Sequence, residues 1–470
     1  MPHSRSSKKS LLILSLHGAC WDGLASWLAQ GQMPVLCSLK QSGRFGPLKA
    51  VLPTLPLPNW ASFWTGESPD RHGIFGFAAL GETDVIRHPV DRRHLNRPTW
   101  LDIASGEGLR IVSVYAPLTY PPNRANGFLV SPRAAKGCAN LPELEREIRA
   151  QFKPLLVPQY QQFLPPQGFR AFDDVRAFVQ GQIESVRQTK DLTKYLMEKS
   201  AWDVTIVDFF ATDPIQHALW HGIDSGHPAF EPKLHEEVGL FFSALDSAMG
   251  ELIEAANPSA VLVFSDHGFT TCRRILNLAR CLFDHGLIRP RPLLERAWRR
   301  ALRETRLLYV PVRQPWIVAP DRRQSIYFDT KAVYVFHPQG DSHALVQEVA
   351  DILSSVEDPT TRIQPIRRVH RPEVPRHADD VRKNSVLVLD FIEGDTARGG
   401  SLTGPLFSTP KANDDYLIGT HTKTGLWAFS GEGISHAENQ LVSILDLPPT
   451  ILRYLGLAVP QWMEMTGLLL

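Results

Sequence analysis

Four segments that lie far apart in the chain each place aspartate or histidine beside a short apolar run. The first run, residues 11–16, ends at His17. Such runs predict buried strands of a parallel sheet, and the carboxyl ends of these strands meet at the edge where ligands bind. The polar side chains beside the runs are therefore expected to lie together. They are His17, Asp213 with His217, Asp266 with His267, and His421.

The composition excludes several classes of partner. The chain has 470 residues and a formal net charge of +1, so it has no electrostatic basis for binding nucleic acid. The apolar run before His17 is too short for a membrane span or a signal-peptide core. The five cysteines lack the paired spacing of a metal site, which favours reduced thiols. We therefore expect a cytoplasmic protein that binds neither nucleic acid nor membrane.

The order of the motifs resembles that of the alkaline phosphatase superfamily. The similarity is to its type I phosphodiesterase/nucleotide pyrophosphatase branch and to the related predicted phosphohydrolase/phosphomutase group. That family usually reads Asp-Gly after the first strand, then Thr-x-Pro-(Ala/Asn)-Trp, Pro-x-x-His-Gly-Ile, Asp-x-x-x-His, Asp-His-Gly and Gly-x-His. The matching stretches are His17-Gly18, Pro56 to Trp60, Pro69 to Ile74, Asp213 to His217, Asp266 to Gly268 and Gly419 to His421. Each motif alone is weak, but the ordered set is strong.

The resemblance implies an α/β fold, a three-layer α/β/α sandwich with a mostly parallel central sheet. It also implies two metal sites. One would consist of Asp213, His217 and His421, and the other of His17, Asp266 and His267. Carboxylate and imidazole ligands suit Zn²⁺, Mn²⁺ or Fe²⁺ better than Mg²⁺ or Ca²⁺. The expected cofactors are two divalent ions, with Zn²⁺ favoured.

Two positions depart from the family pattern. His17 replaces an aspartate, which keeps a ligand atom but removes a negative charge from the metal site. Pro56 replaces the nucleophilic threonine and offers no hydroxyl. Three alternatives follow: a hydroxide held between the metals attacks, Thr54 two residues away supplies the hydroxyl, or the site binds without turnover. The same motif marks Asn59 as a candidate catalytic residue.

The order of predicted elements indicates a core with one insertion. Residues 10–271 and 414–470 alternate apolar strands with helical patterns and carry all the candidate ligands, so they form the predicted metal-binding core. Within the core, residues 140–200 are predicted to be a helical cover. Residues 272–413 contain arginine and proline clusters and end in a loop rich in glycine and serine, which indicates an inserted cap. Such a cap normally selects the substrate.

These features favour an enzyme, a metal-dependent hydrolase with metal-bound hydroxide as its nucleophile. Its expected substrate is an anionic small molecule such as a phosphoester or phosphoanhydride. The loss of threonine at position 56 leaves a non-catalytic, alkaline phosphatase-like ligand-binding protein as an alternative. A non-heme di-iron redox enzyme is a third, because two histidines and one carboxylate are also iron ligands. Six ligand-type residues argue against the non-catalytic alternative, since an unused site has no physical need for them.

Overall fold

The computed structural model describes residues 9–80, 87–132, 137–152, 168–290, 316–318, 325–336, 343–373, 384–399, 402–412 and 417–469. The strands in these ranges are β1 (Leu11–Leu16), β2 (Arg44–Lys49), β3 (Ala78–Leu80), β4 (Arg87–Pro89), β5 (Ile111–Val114), β6 (Gly127–Val130), β7 (Val204–Phe209), β8 (Ala260–Phe264), β9 (Gly268–Thr271), β10 (Arg274–Asn277), β11 (Ile288–Pro290), β12 (Trp316–Val318), β13 (Ser325–Phe328), β14 (Ala332–Phe336), β15 (Ile366–His370), β16 (Asn384–Phe391), β17 (Asp395–Arg398), β18 (Phe407–Ser408), β19 (Gly419–Thr422), β20 (Thr424–Gly431) and β21 (Val442–Ser443). The helices are α1 (Trp21–Ala29), α2 (Pro34–Ser42), α3 (Pro56–Thr65), α4 (Pro69–His72), α5 (Trp100–Gly106), α6 (Pro142–Gln151), α7 (Phe172–Lys199), α8 (Thr212–Ile223), α9 (Pro232–Ala256), α10 (Leu278–Asp284), α11 (His343–Ser355) and α12 (Leu447–Tyr454).

The largest sheet contains eight strands in the order β21-β2-β20-β8-β1-β7-β5-β6. From β8 to β6 each strand runs parallel to its neighbours, whereas β20 is antiparallel to both β8 and β2. Strand β1 lies between β7 and β8, and all six of its residues are buried, as expected for a strand covered on both faces. The carboxyl ends of β7, β1 and β8 therefore meet at one edge. The predicted α/β fold with a mostly parallel central sheet is confirmed.

Long amphipathic helices pack against this sheet. Helix α7 buries an apolar face that includes Val179, Val186 and Leu196, and it packs against α9 and against strands β5 and β7. The predicted helical cover at 140–200 contains α6 and α7. Within the part of the chain that the structure describes, no helix is both long and apolar enough to cross a membrane.

The chain divides into two compact units. The first comprises Met1–Ser68, Asp91–Thr271 and Lys411–Leu470, and it contains the eight-stranded sheet. The second comprises Pro69–Val90 and Cys272–Pro410, and it contains the antiparallel sheet β13-β14-β16-β15 with α11 packed against β15.

The second unit differs from the predicted cap at its N-terminal segment. The cap was predicted to span 272–413, which stays a prediction, and the long second segment of the unit is Cys272–Pro410. Residues 69–90 were expected in the core but group with the second unit. There the backbone N–H of Phe77 donates to Asp329 Oδ2 at 3.2 Å. The chain thus contributes a short segment to the second unit before the main insertion. A contact between residues so far apart in the chain, such as that of Phe77 with Asp329, cannot be predicted from a local sequence pattern.

Candidate metal centre

The six predicted ligands come together at the carboxyl edge of the large sheet, within the first unit. They are carried by the ends of β1 and β8, by α8 directly after β7, and by β19, which pairs antiparallel with β9. Their side chains are buried almost completely. In chain order they are His17, Asp213, His217, Asp266, His267 and His421.

Asp213, His217 and His421, here called the first ligand group, are spaced as the ligands of one ion would be. Asp213 and His217 lie four residues apart on α8 and so share one face of the helix. The Nε2 atoms of the two histidines are 2.9 Å apart. Asp213 Oδ1 lies 3.7 Å from His217 Nε2 and 3.5 Å from His421 Nε2. A tetrahedral ion with ligand bonds of about 2 Å keeps its ligand atoms about 3.3 Å apart. The measured distances lie on both sides of that value.

The hydrogen bonds of the two histidines fix which ring nitrogen is protonated. His217 Nδ1 lies 2.9 Å from the carbonyl oxygen of Gly419, and His421 Nδ1 lies 3.1 Å from that of Thr54. A carbonyl oxygen only accepts, so each Nδ1 donates and each Nε2 is left with a lone pair. Two lone pairs that face each other at 2.9 Å repel unless a metal ion or a shared proton lies between them. Histidine ligands of metals are typically held in this way.

Thr54 contacts the first ligand group through its backbone, because its carbonyl oxygen orients His421. The side chain of Thr54 is buried. Its role as a substitute nucleophile stays a prediction.

His17, Asp266 and His267, here called the second ligand group, also converge. Asp266 Oδ2 lies 3.3 Å from His17 Nε2 and 3.6 Å from His267 Nε2, while Asp266 Oδ1 accepts from the backbone N–H of Gly18 at 3.1 Å. The ligand atoms of His17, Asp213 and His267 all lie within 4.8 Å of one another. Asp213 therefore faces both groups, although the sequence assigned it to the first alone.

Several buried polar atoms of these groups have no hydrogen-bond partner in the described part of the chain. They are both carboxylate oxygens of Asp213, Oδ2 of Asp266, Nε2 of His267, and both ring nitrogens of His17. Burying an unsatisfied carboxylate is costly, and coordination of a cation would satisfy it. Burial also holds the pKa of His267 well below its usual range, so its ring is neutral, as ligation requires. The residues present therefore fit divalent metal ions.

His17 lies between two carboxylates. Its Nδ1 is 3.5 Å from Asp208 Oδ2, and its Nε2 faces Asp266. Burial opposes protonation of this ring, but the negative charges of Asp266, Asp208 and Asp213 outweigh burial and raise the pKa of His17 to about 10. In the absence of a metal, His17 holds a proton. A metal that binds its Nε2 must displace that proton.

Sequence reasoning missed Asp208, because it belongs to none of the motifs. A signal was nevertheless present. Asp208 is the only ionisable residue in the apolar strand β7, and strands of this kind are buried on both faces. A carboxylate in such a strand requires a partner.

The ring of Phe269 restricts the orientation of the ligand rings. Its centroid lies 4.7 Å from that of His217, 4.9 Å from that of His421 and 5.6 Å from that of His267. Gly18 has a φ of +69°, and a Cβ atom there would lie 2.5 Å from Phe269 Cε2. Glycine at this position therefore allows the turn after β1 to lie against the aromatic ring.

The start of α3 offers few groups to a substrate. Pro56 and Pro58 are its first and third residues, and neither has an N–H to donate to an anion. The side chain of Asn59 is engaged with the preceding loop, accepting from Val51 N at 2.7 Å and donating to Leu55 O at 2.9 Å. These contacts give Asn59 a structural function, and a direct catalytic role for it stays a prediction.

The family model described as type I phosphodiesterase / nucleotide pyrophosphatase matches residues 11–388, and the chain belongs to this family. The resemblance inferred from the ordered motifs is thereby confirmed, and the family supports an enzyme that hydrolyses phosphoesters. A search of curated proteins finds no match.

Solved structures with a similar fold include two kinds of hydrolase. The phosphonoacetate hydrolase of Sinorhizobium meliloti 1021, in complex with phosphonoformate, has a TM-score of 0.56 and 16% sequence identity, over 96% of this chain and 95% of that chain. An inactive murine ectonucleotide pyrophosphatase/phosphodiesterase 5 in complex with AMP has a TM-score of 0.55 and 16% identity, over 96% of each chain. The human form has a TM-score of 0.55 and 14% identity over the same shares. At these identities the likeness concerns the fold.

Proposed function

We propose that this protein is a two-metal hydrolase of a phosphoester, phosphoanhydride or related anionic small molecule, with water as the nucleophile. The observation that carries this proposal is the first ligand group. Two imidazole lone pairs and a carboxylate converge there, with both rings held by backbone carbonyls. Such an arrangement is unfavourable unless a metal ion or a shared proton lies between the rings, and a metal ion would satisfy all three ligand atoms at once.

The first ligand group would hold one ion, and the second would hold another together with Asp213. Bound divalent ions supply Lewis acidity to a phosphoryl oxygen and acidify water. The ligand residues would hold these ions and exclude bulk water, since their side chains are almost fully buried. The donor set favours Zn²⁺ over Mg²⁺ and leaves Mn²⁺ and Fe²⁺ as alternatives.

Water is the proposed nucleophile because α3 begins with Pro56, where the family pattern has threonine. Proline has no hydroxyl, so no covalent phosphoryl intermediate can form at this position. The scarcity of N–H groups at the start of α3 also removes a common anion-binding contribution. The metals would then provide most of the charge that holds the substrate.

The proposed substrates are small anions that carry a phosphoryl or phosphonyl group. The family assignment supports phosphoester hydrolysis, and proteins of similar fold bind phosphonoformate and AMP. A suitable panel contains bis(4-nitrophenyl) phosphate, 4-nitrophenyl phosphate, a nucleotide anhydride and phosphonoacetate.

The proposal is tested by metal analysis of protein purified without added metal, followed by hydrolysis assays. We expect two zinc ions per chain, activity on at least one member of the panel, loss of activity after chelation and recovery after reloading. Two irons without hydrolysis would favour the redox alternative. A folded protein that binds no metal and hydrolyses nothing would favour the ligand-binding alternative, and a single ion with activity would contradict the two-metal part.

The nucleophile is tested by mass spectrometry of the intact protein quenched during turnover. We expect no phosphoryl adduct on the wild-type chain. The matched variant is Pro56→Thr, which restores a hydroxyl at the start of α3 and should permit such an adduct. An adduct on the wild-type protein would contradict water as the direct nucleophile.

A further inference from the structure

We propose that Asp208 is a positioning residue that orients His17, so that the Nε2 atom of His17 faces the second ligand group. This inference rests on the proposed two-metal function. It concerns a residue outside the family motifs, on a strand whose other residues are not ionisable.

The geometry of His17 supports this role. The ring has one nitrogen toward each of two carboxylates, Nδ1 toward Asp208 at 3.5 Å and Nε2 toward Asp266 at 3.3 Å. A carboxylate that accepts from Nδ1–H leaves the lone pair on Nε2, which is the arrangement of carboxylate–histidine–metal triads. At 3.5 Å the contact with Asp208 is longer than a normal hydrogen bond, so in the absence of a metal it is an ion pair between the protonated ring and the carboxylate.

Asp208 is itself held in place by its neighbour on β1. Ser15 lies directly opposite Asp208 in the parallel pair of β1 and β7, and its hydroxyl donates to Asp208 Oδ1 at 2.6 Å. Both side chains are buried. Ser15 and His17 are two residues apart at the end of an extended strand, so they point to the same face. The serine occupies one carboxylate oxygen, and the other remains directed at His17.

The backbone of His17 is also fixed. Its carbonyl oxygen accepts from Thr212 Oγ1 at 2.5 Å and from Gln216 Nε2 at 3.3 Å, while the ring of Phe210 packs edge-on at 5.0 Å. With the backbone held in this way, the remaining freedom of His17 is largely rotation of the ring. Asp208 acts on that rotation.

The charge at the site gives a second argument. The family pattern has a carboxylate at position 17, and His17 removes that negative charge from the metal ligands. Asp208 returns one negative charge, separated from the metals by the imidazole ring. A carboxylate there raises the basicity of the histidine ligand and compensates in part for the charge that was lost.

The test is a titration of metal-stripped protein with Zn²⁺ against a competing chelator, in the wild type and in Asp208→Asn. We expect two binding steps in the wild type. In the variant, one step should weaken by about 10- to 100-fold while the other is unchanged, as is usual when the outer partner of a ligating histidine is lost. Ser15→Ala, which leaves the carboxylate in place, should weaken the same step by a smaller factor.

The control is Asp246→Asn. Asp246 is also buried, and it accepts from the backbone N–H groups of Val35 and Leu36 at 2.9 Å, away from the ligand groups. Asp246→Asn therefore makes the same chemical change, from a buried carboxylate to an amide, at a different place. Both Zn²⁺-binding steps should be unchanged in this variant.

A double variant tests whether Asp208 acts through His17. In a His17→Asp background, Asp208 would face another carboxylate, so Asp208→Asn should no longer weaken binding. The inference would be overturned if Asp208→Asn left both Zn²⁺-binding steps at their wild-type affinities, or if it weakened both steps by the same factor. A wild type with fewer than two steps would instead contradict the proposed two-metal function.

Discussion

The two ligand groups lie at the same sheet edge and share Asp213, yet they are held in different ways. In the first group, backbone carbonyls of Gly419 and Thr54 orient both histidines, so the fold itself determines which nitrogen is protonated. In the second group, His17 lies between side-chain carboxylates and can hold a proton in place of a metal. In the proposed two-metal function, the first group would take up its ion with both rings already oriented, whereas the second would release the proton of His17 as its ion binds.

The largest effect is expected from Asp213→Ala. Because Asp213 faces both groups, its loss should reduce the metal content at both sites and lower hydrolysis by several orders of magnitude. Metal analysis and steady-state kinetics check this outcome. The matched control is Asp224→Ala, at the other end of the same helix, where the carboxylate accepts from Thr271 and Gly226. A variant of Asp213 that loses only one ion would show that the groups are independent.

An intermediate effect is expected from pH on metal-stripped protein. His17 has a pKa of about 10 in the folded state and an ordinary value of 6.5, so its contribution to stability is complete below pH 6.5 and is lost as the pH rises toward 10. The charged or titratable groups that face it are Asp208 on β7, Asp213 on α8, and Asp266 and His267 after β8. The free energy of unfolding should fall by roughly 2–4 kcal/mol over this range.

Urea unfolding at several pH values measures this slope. His17→Gln should remove most of it, whereas His436→Gln, a change in a half-exposed histidine, should leave it unchanged. Saturation with Zn²⁺ should also diminish the slope in the wild type, because the metal displaces the proton. An identical slope in His17→Gln would contradict the proposed difference between the groups.

The smallest effect is expected from Thr54→Ala. Alanine keeps the carbonyl oxygen that orients His421, so the first group should retain its metal and most of its activity. Kinetics together with metal analysis check this. A collapse of activity with unchanged metal content would identify the Thr54 hydroxyl as the nucleophile and contradict attack by water.

The parts of the fold that follow local patterns could be predicted from the sequence. Strands β1, β7 and β8 are uninterrupted apolar runs, because each is buried on both faces of a parallel sheet. The polar residues at their ends could therefore be assigned to one edge. The fold class and the family followed from these strands and from the ordered motifs.

What the sequence did not reveal depends on contacts in space. Residues 69–90 group with the second unit through contacts such as that of Phe77 with Asp329, which have no local pattern. Asp208 acquires its significance from Ser15 and His17 on the neighbouring strand, and the register of two strands cannot be read from either alone. The dual position of Asp213 likewise depends on how the strand ends pack.

The burial of the candidate ligands has a consequence for how the proposed metal ions would enter the protein. Five of the six ligand residues are no more than 5% exposed, so we expect local opening of the structure to accompany the entry and release of an ion. Exchange of bound metal with the solution should therefore be slow compared with turnover. Chelation and reloading of the folded protein should therefore need incubation times long enough for such openings to occur.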